Sequence, residues 1–317
     1  MGGQLRVLVL AGGPDREREV SLNSGSEVAA ALREAGHEVR ESDVLPDDVT
    51  ALDAFNDWPG DVIFPVLHGR WGEGGGLQRL LDQRALPYVG CRATAAALCM
   101  DKAATKAVLD EHGLPTPAYE TLRPGQPATL APPVVVKAVN EGSSIGLSIC
   151  HNTTDRNGAI LTLGEQYAHL LVERYVAGME LTVGVIEDAA GQPEALPALE
   201  IVPAEGYYDY QAKYQRDDTQ YRFDIALPAA TLAELRRLAL RAYEVLGVRH
   251  LGRVDFLVDA EHRPWLLEVN TIPGFTGHSL LPMAARQAGL PLPALVDRLV
   301  RLACTAAREP GRVRGKG

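Results

Sequence analysis

Short apolar segments alternate with helix-like segments along the first hundred residues. The segment Arg6–Leu10 is almost wholly apolar, as expected for a parallel strand that is buried on both faces. Ser24 and Glu27 have the spacing of a capping box, which predicts that a helix starts within 21–24, and Gly36 is suited to end it. The alternation predicts βαβ units around a parallel sheet, in a first domain that closes near residue 97. Further strands are expected at 37–44, 61–67 and 87–89, and a further helix at 76–85.

The rest of the chain has a less regular pattern. Residues 101–112 have a helical pattern that Gly113 ends, and four prolines within 122–133 indicate a loop. The pattern is α+β in character, and we expect two units, 98–184 and 185–307, followed by a flexible tail at 308–317. Strands are expected at 134–139, 147–150, 170–176, 181–186, 198–202, 252–258 and 265–269, and helices at 155–167, 231–246 and 292–307.

Composition and charge exclude several classes of protein. Hydrophobic residues make up 46% and charged residues 23%, which excludes a disordered chain. The formal net charge of −10 disfavours general binding to nucleic acid or to an anionic membrane. The four cysteines form no C-x-x-C pair, so reduced thiols are expected. No apolar run approaches the roughly 18–20 residues that cross a bilayer, and we expect a cytoplasmic protein.

A glycine- and serine-rich loop, 141–146, follows the strand predicted at 134–139. Glycines let a backbone wrap closely around a phosphate, and consecutive N–H groups can bind it. Lys137, near the end of the preceding strand, would supply positive charge. The alternative is an ordinary hairpin turn. The chain has neither a Walker A motif nor a G-x-G-x-x-G fingerprint after its first strand.

Two predicted strands nearer the C-terminus carry polar side chains at alternate positions. Arg253 and Asp255 share one face of the first strand, and Glu268 and Asn270 share one face of the second. If the strands pair, three oxygen ligands and a guanidinium group converge, and Mg²⁺ prefers such hard oxygen ligands. The alternative is a solvent-facing hairpin, which the apolar neighbours of these residues disfavour.

Three further segments carry weaker signals. The strand end at 173–176, followed by Glu180, is either a purine slot or an amphipathic strand end. His68 and the loop with Glu17 both follow predicted parallel strands, at the edge where such sheets bind ligands, although a lone histidine is often structural. The segment 207–214 holds four tyrosines and a lysine, which suits a mobile lid or an irregular surface loop.

Together these segments resemble one family closely, the D-alanine–D-alanine ligases, which have the ATP-grasp fold. The matches run in the family's order from residue 5 to about 305, and this ordered conjunction is specific although each match is weak alone. The matching segments are Gly12-Gly13, Glu17–Ser21, His68–Arg70, Met100–Lys102, Glu141–Ser144, Lys213-Tyr214, Gly252–Asp255, Glu268–Gly274 and His278–Ala285.

The resemblance implies an α/β and α+β fold, with an N-terminal parallel α/β domain and two α+β units that clasp ATP. It implies an enzyme that joins two D-alanines into the D-alanyl-D-alanine of peptidoglycan precursors. ATP would phosphorylate the carboxylate of the first D-alanine, and the amine of the second would attack the acyl phosphate. The implied cofactors are ATP and two Mg²⁺ ions, which Mn²⁺ can replace, and the implied assembly is a homodimer.

The resemblance also assigns roles to matching positions. The catalytic residues would be Glu17, Ser143, Tyr214, Arg253 and Ser279. The D-alanine-binding residues would be Glu17, His68, Arg253, Gly274, Ser279 and Leu280. The ATP-binding residues would be Lys102, Lys137, Ser144, Glu173, Arg174, Tyr175, Val176, Glu180 and Lys213. The metal ligands would be Asp255, Glu268 and Asn270. Glu17, Ser143 and Tyr214 would form a hydrogen-bonded trio that holds a lid shut.

One segment departs from the family's pattern. After Glu73 the family has Asp-Gly-Thr, whereas this chain has Gly74-Gly75-Gly76, which leaves helix capping and substrate packing open there. A ligase that joins D-alanine to D-lactate or D-serine is an alternative, and Tyr214 disfavours the D-lactate type. Other ATP-grasp enzymes share the metal strands but lack the match around Glu17. An ATP-binding regulator without turnover is disfavoured, because no metal ligand or lysine is missing.

Overall fold

The computed structural model describes residues 3–123, 125–204 and 218–308. The N-terminal part contains a three-stranded parallel sheet of order β2-β1-β3, formed by β1 (Arg6–Ala11), β2 (Glu38–Asp43) and β3 (Val62–Pro65). Instead of the strand expected at 87–89, Tyr88 forms an isolated parallel bridge with Ile63. Five helices accompany this sheet: α1 (Arg18–Glu34), α2 (Thr50–Asp57), α3 (Gly69–Gly72), α4 (Gly76–Gln83) and α5 (Ala93–Met100).

The first helix starts earlier than the capping-box pattern predicts. It begins at Arg18, so the predicted start within 21–24 is wrong. Ser21 and Ser24 are buried inside the helix. Ser21 Oγ hydrogen-bonds the backbone of the segments after β1 and β3, and Ser24 Oγ accepts from Phe275 N at 3.3 Å. These serines therefore attach α1 to neighbouring segments instead of capping it.

A four-stranded antiparallel sheet of order β4-β7-β5-β6 follows in the chain. Its strands are β4 (Tyr119–Leu122), β5 (Val134–Ala138), β6 (Leu147–Cys150) and β7 (Leu170–Arg174). The helix α6 (Lys102–Glu111) precedes it, and α7 (Thr153–Gly164) packs on it. The helix α7 begins two residues earlier than expected, because the Asn152 side chain caps it by accepting from Asp155 N at 2.9 Å.

The larger sheet has the order β11-β10-β8-β12-β13, with β9 paired to β8. Its strands are β8 (Met179–Glu187), β9 (Pro193–Ala195), β10 (Leu199–Val202), β11 (Gln220–Arg222), β12 (Leu251–Val258) and β13 (Pro264–Asn270). The helix α8 (Ala229–Val245) packs against β8, β12 and β13. The expected boundary at 184/185 falls inside β8, since the chain passes between the two antiparallel sheets after Arg174 and before Met179.

The last two helices, α9 (Leu280–Gln287) and α10 (Leu292–Arg308), return the chain to the parallel sheet. Buried residues of α10, such as Leu295 and Leu299, share one core with Val7 of β1 and Val28 of α1. The C-terminal segment therefore stabilises the N-terminal layer that positions Glu17. Among the described residues, none of the helices has the combined length and apolarity to span a membrane. The tail expected at 308–317 lies outside the described residues beyond Arg308.

Candidate active site

A cavity of about 630 Å³ lies between the two antiparallel sheets. This volume suits a small organic ligand. Asp255 and Glu268, two of the three predicted metal ligands, also line it. The ninth predicted ATP-binding residue, Lys213, lies outside the described residues. The predicted ATP-binding residues that line the cavity are Lys102, Lys137, Ser144, Glu173, Arg174, Tyr175, Val176 and Glu180.

The loop 141–146 joins β5 to β6 beside this cavity. Its residues Ser143 and Ser144 have φ angles of +52° and +59°, which non-glycine residues adopt rarely and often at ligand-binding sites. Lys102 Nζ donates to Glu141 O at 2.6 Å and so ties the loop to α6. The loop therefore has a specific, tethered conformation in which Ser144 lines the cavity.

Ser143 reaches across to the N-terminal part of the chain. Its Oγ donates a hydrogen bond to Glu17 Oε1, and Glu17 is only 8% exposed. Two members of the predicted trio are thus in direct contact, 126 residues apart in the sequence. The third member, Tyr214, lies outside the described residues.

A buried cluster of three charged side chains lies at the wall of the cavity. Lys137 Nζ is 2.5 Å from Glu173 Oε1, and Lys106 Nζ is 2.9 Å from Glu173 Oε2. Burial alone would raise the pKa of Glu173, but the ammonium groups of Lys137 and Lys106 outweigh it and lower the pKa. Glu173 is therefore ionised. The sequence analysis did not identify Lys106 as a site residue.

The paired strands β12 and β13 converge as the alternation predicts. Arg253 lies opposite Asn270, and Asp255 lies opposite Glu268. Arg253 Nε and Nη2 donate to the two Asp255 oxygens at 2.9 Å each, Asn270 Nδ2 donates to Asp255 Oδ2 at 2.9 Å, and Thr182 Oγ1 donates to Asp255 Oδ1 at 2.6 Å. Asp255 is mostly buried, so this face is not a solvent-facing hairpin.

The donors on this face fit a hard divalent cation. Two carboxylates and one amide oxygen are the ligand types that Mg²⁺ prefers. Positive side chains already lie against both carboxylates, Arg253 against Asp255 and Lys102 against Glu268, the latter at 3.2 Å. No three His, Cys, Asp or Glu side chains are grouped as a metal site among the described residues, on this face or elsewhere, because the third predicted ligand here is the amide of Asn270.

His68 and Glu73 flank Glu17 at the N-terminal side of the site. Burial lowers the pKa of His68, with Arg253 adding to the effect, so its imidazole is neutral although Glu17 opposes the shift. His68 Nε2 is buried without a hydrogen-bond partner among the described residues, which marks a place for a polar ligand atom. Burial and the neighbouring Glu17 carboxylate raise the pKa of Glu73 to about 8.

The segment that is predicted to bind the second D-alanine lies at the start of α9. An ideal Cβ on Gly274 would lie 2.7 Å from Ser279 Oγ, so a larger residue there would have to displace the serine hydroxyl. Ser279 is hydrogen-bonded to Thr276, and its role in binding the second D-alanine stays a prediction. Its N–H donates to Thr276 O at 2.9 Å, and its Oγ accepts from Thr276 N at 3.0 Å. Leu280 is the first residue of α9, where N–H groups point out of the helix.

The atoms packed around the glycine run at 74–76 leave little room for larger side chains. An ideal Cβ on Gly74 would meet Arg70 O at 2.4 Å, and one on Gly76 would meet Trp71 Cδ1 at 2.7 Å. Gly75 has a φ of +96° and precedes α4, and its N–H donates to Gln78 Oε1 at 3.1 Å. Gln78 therefore supplies part of the capping that the missing side chains would give. The backbone here has a shape that requires small residues.

Comparisons with known proteins agree on one family. The family model described as D-ala D-ala ligase C-terminus matches residues 108–301. The chain is 41% identical over 315 residues to a D-alanine–D-alanine ligase of Bordetella avium, covering 98% of each chain. It is 42% identical over 311 residues to one of Moorella thermoacetica, covering 94% of this chain and 99% of the relative.

A solved structure shows the same architecture. The D-alanine–D-alanine ligase of Bacillus anthracis complexed with ATP superposes with a TM-score of 0.82 at 28% identity. The match covers 98% of this chain and 100% of that one. The predicted fold class is thus confirmed: a parallel N-terminal α/β layer is joined to two antiparallel α+β units in the ATP-grasp arrangement.

Proposed function

This chain belongs to the family of ATP-dependent D-alanine–D-alanine ligases, and on that premise we propose how its own residues bind and join two D-alanines. The reaction yields D-alanyl-D-alanine, ADP and phosphate. A free carboxylate resists attack by an amine, so ATP must first convert one D-alanine into an acyl phosphate. The second D-alanine then attacks that carbonyl carbon, and phosphate leaves. The product serves peptidoglycan synthesis.

ATP binds in the cavity between the two antiparallel sheets. The adenine ring lies near Glu173 and the backbone of 174–176, and Glu180 accepts from a ribose hydroxyl. Glu173 lies at the cavity wall next to Arg174, where its carboxylate can accept from the adenine amino group. Lys102 and Lys137, which both line the cavity, bind phosphate oxygens with Ser144. Lys213, outside the described residues, would approach the terminal phosphate.

Mg²⁺ would be held by Asp255, Glu268 and Asn270, whose donor types fit it. When bound, Mg²⁺ neutralises phosphate oxygens and increases the electrophilicity of the terminal phosphorus. The protein's own contribution is to place two carboxylates directly opposite each other on β12 and β13 at the cavity wall. The family commonly uses two such ions.

The first D-alanine binds at Glu17, which is positioned to pair with its ammonium group. His68 Nε2, neutral and buried without a partner among the described residues, contacts the same substrate. The Ser143–Glu17 hydrogen bond holds the loop 141–146 over this position, and Tyr214 would complete that closure. Closure excludes water, which would otherwise hydrolyse the acyl phosphate.

The second D-alanine binds between Arg253 and the start of α9. Its carboxylate is received by Leu280 N–H and by Ser279, whose hydroxyl lies 2.9 Å from Thr276 Oγ1. Arg253 and the backbone N–H near Gly274 stabilise the oxyanion that forms when the amine attacks. A donor of this kind is typically worth about 3–4 kcal/mol of barrier reduction.

The single observation that carries this scheme is the meeting of Glu17 with Ser143 beside a cavity lined by Lys102, Lys137, Asp255 and Glu268. The test is phosphate release from MgATP by the purified protein with no acceptor, with D-alanine, with L-alanine, or with D-alanine plus D-lactate or D-serine. We expect release that requires D-alanine and a product with the mass of D-alanyl-D-alanine. Release only with a mixed acceptor would overturn the acceptor assignment and leave the ATP chemistry intact.

We also propose that the enzyme is a homodimer and acts in the cytoplasm, where D-alanine and ATP are both available. Both proposals rest on the family resemblance. Light scattering on the purified chain tests the assembly, with twice the 34.1 kDa chain mass as the expected result. A mass of one chain at all concentrations used for activity would contradict it.

A further inference from the structure

The helix α6 carries two lysines one turn apart, and the second of them lies behind the cavity wall. Lys102 lines the cavity, whereas the side chain of Lys106 is fully buried. Residues four apart lie on the same helix face, so both ammonium groups point the same way. Lys102 lies against Glu268 of the larger sheet, and Lys106 lies against Glu173 of the smaller sheet.

The Lys106 ammonium group has three neighbours that hold it in place. Its Nζ is 2.9 Å from Glu173 Oε2, donates to Thr116 Oγ1 at 2.5 Å, and lies 5.4 Å from the centre of the Tyr119 ring. Thr116 in turn donates to Leu266 O of β13 at 2.9 Å. Lys106 is therefore held at a fixed position between the two sheets that clasp the nucleotide.

The charges of the buried cluster do not cancel. Glu173 carries one negative charge and contacts two ammonium groups, Lys106 on one side and Lys137 on the other. Burial lowers the pKa of Lys106, but the adjacent Glu173 carboxylate opposes this shift and favours the ammonium form. With both lysines protonated the cluster has a net charge of +1, and its cavity-facing cation is Lys137. Without Lys106, the Glu173–Lys137 pair would be neutral, and a phosphate group in the cavity would meet no net charge there.

We propose that Lys106 is a positioning residue for nucleotide phosphate, because it neutralises Glu173 from behind and so leaves the positive charge of Lys137 available to the phosphate. The inference rests on the proposed function, in which Lys137 binds a phosphate of ATP. The low pKa of Glu173 agrees with it, since an ionised carboxylate needs a second cation if Lys137 is to serve a ligand. Lys106 touches no ligand itself and acts through Glu173.

The decisive comparison asks whether a loss of affinity depends on the phosphate charge of the ligand or on its adenine base. Lys106→Met removes the charge and retains most of the side-chain volume. Dissociation constants for MgATP, MgADP and adenosine are measured by calorimetry on the full chain without D-alanine. We expect MgATP to bind about tenfold more weakly than to the wild type, MgADP to weaken as well, and adenosine to change by less than about twofold. A merely structural lysine would weaken all three ligands alike, and that result would overturn the proposal.

Three further variants sharpen the test. Lys106→Arg keeps the charge and should retain MgATP affinity within about threefold. The double variant Lys106→Met with Glu173→Gln restores the net charge of +1 and keeps an acceptor for adenine, so it should recover most of the lost affinity. Arg156→Met is the matched control, because Arg156 is a partly buried cation on α7 that donates to Leu130 O at 2.6 Å. It should leave all three affinities unchanged.

Lys106→Met leaves Glu173 paired with Lys137 and so buries no unpaired charge, and Lys106→Gln, whose amide can still hydrogen-bond Thr116, covers the case in which Lys106→Met fails to fold. If the double variant binds MgATP ten times more weakly than the wild type, the proposal is wrong. These measurements are independent of turnover. A wild type that binds MgATP but releases no phosphate with D-alanine would contradict the proposed ligase scheme and leave the role of Lys106 to be decided by the binding data.

Discussion

Lys102 Nζ lies 3.2 Å from Glu268 Oε2, so a residue assigned to phosphate and a residue assigned to metal neutralise each other in this structure. Arg253 relates to Asp255 in the same way, through two hydrogen bonds of 2.9 Å. Each carboxylate assigned to Mg²⁺ is thus already paired with a cation of the active site. Binding of Mg²⁺ must compete with these cations, whereas nucleotide phosphates can receive them. We therefore expect metal and nucleotide to bind cooperatively.

Replacing Asp255 with alanine should abolish Mg²⁺-dependent turnover. The change removes a predicted metal ligand and also leaves the Arg253 guanidinium without its bidentate partner. The measurement is the D-alanine-dependent release of phosphate across a Mg²⁺ titration. Glu261→Ala is the control, since Glu261 lies in the same β12–β13 hairpin and forms an exposed ion pair with Arg263. Wild-type activity in Asp255→Ala would show that these strands are not the metal site.

The sequence predicted the ligand types on the β12–β13 face, but it did not predict the buried residues that support the site. Alternation placed Asp255 on one face of the first strand and Glu268 on one face of the second, and left open whether the strands pair, which the structure shows. Lys106 could not be found in this way. It is one lysine in a helix of mixed character, and only the tertiary structure shows that Glu173, 67 residues later, is its partner.

The errors in the predicted helices have a related cause. Ser24 and Glu27 match the capping-box pattern, but Ser24 is buried and binds Phe275 N, which is 251 residues away in the sequence. Local spacing identifies side chains that can cap a helix, and it does not show which of them are used elsewhere. The helix α9 was missed because it is only eight residues long and because its N-cap residue, Ser279, was assigned to substrate binding. The trio was predicted from the resemblance, and its contact between Glu17 and Ser143 is formed.

Replacing Ser143 with alanine should raise the KM for D-alanine by about tenfold and change the KM for MgATP much less. The variant removes the hydrogen bond from Ser143 Oγ to Glu17 Oε1, so the loop 141–146 is held less firmly over the first substrate. Initial rates at varied D-alanine and at varied MgATP separate the two constants. Ser148→Ala on β6 is the control, and it should behave like the wild type. Equal rises in both KM values would argue against a role at the D-alanine position.

Restoring the family's aspartate at position 74 should destabilise this chain. A Cβ at Gly74 would lie 2.4 Å from the backbone carbonyl of Arg70, so the loop must shift to accept Gly74→Asp. The expected loss is about 1–3 kcal/mol in the free energy of unfolding, as for other overpacked sites. Urea denaturation measures it. Gly158→Ala is the control, because a Cβ at Gly158 in α7 meets no atom within 4 Å, and this change should be neutral or stabilising. No loss in Gly74→Asp would show that the loop adapts freely.

Glu73 should make stability depend on pH in the neutral range. Burial and the Glu17 carboxylate raise its pKa from 4.5 to about 8, so the folded chain keeps a proton that the unfolded chain loses. The folded state then binds more protons than the unfolded state between these two values, and the stability that this proton contributes is lost as the pH rises through them. The slope approaches at most about 1.4 kcal/mol per pH unit for one such group.

Glu73→Gln removes this dependence, because the amide cannot ionise and still accepts from Gly69 N, as Glu73 Oε1 does at 3.1 Å. Urea denaturation of the wild type and the variant is measured at pH 5, 6, 7, 8 and 9. The free energy of unfolding of the variant, relative to that of the wild type, should rise from pH 5 to 8 and stay constant above pH 8. Arg253 lies close enough to oppose the shift, so added metal and nucleotide are omitted to keep its position the same throughout. A difference that stays constant from pH 5 to 9 would show that Glu73 is ionised over the whole range.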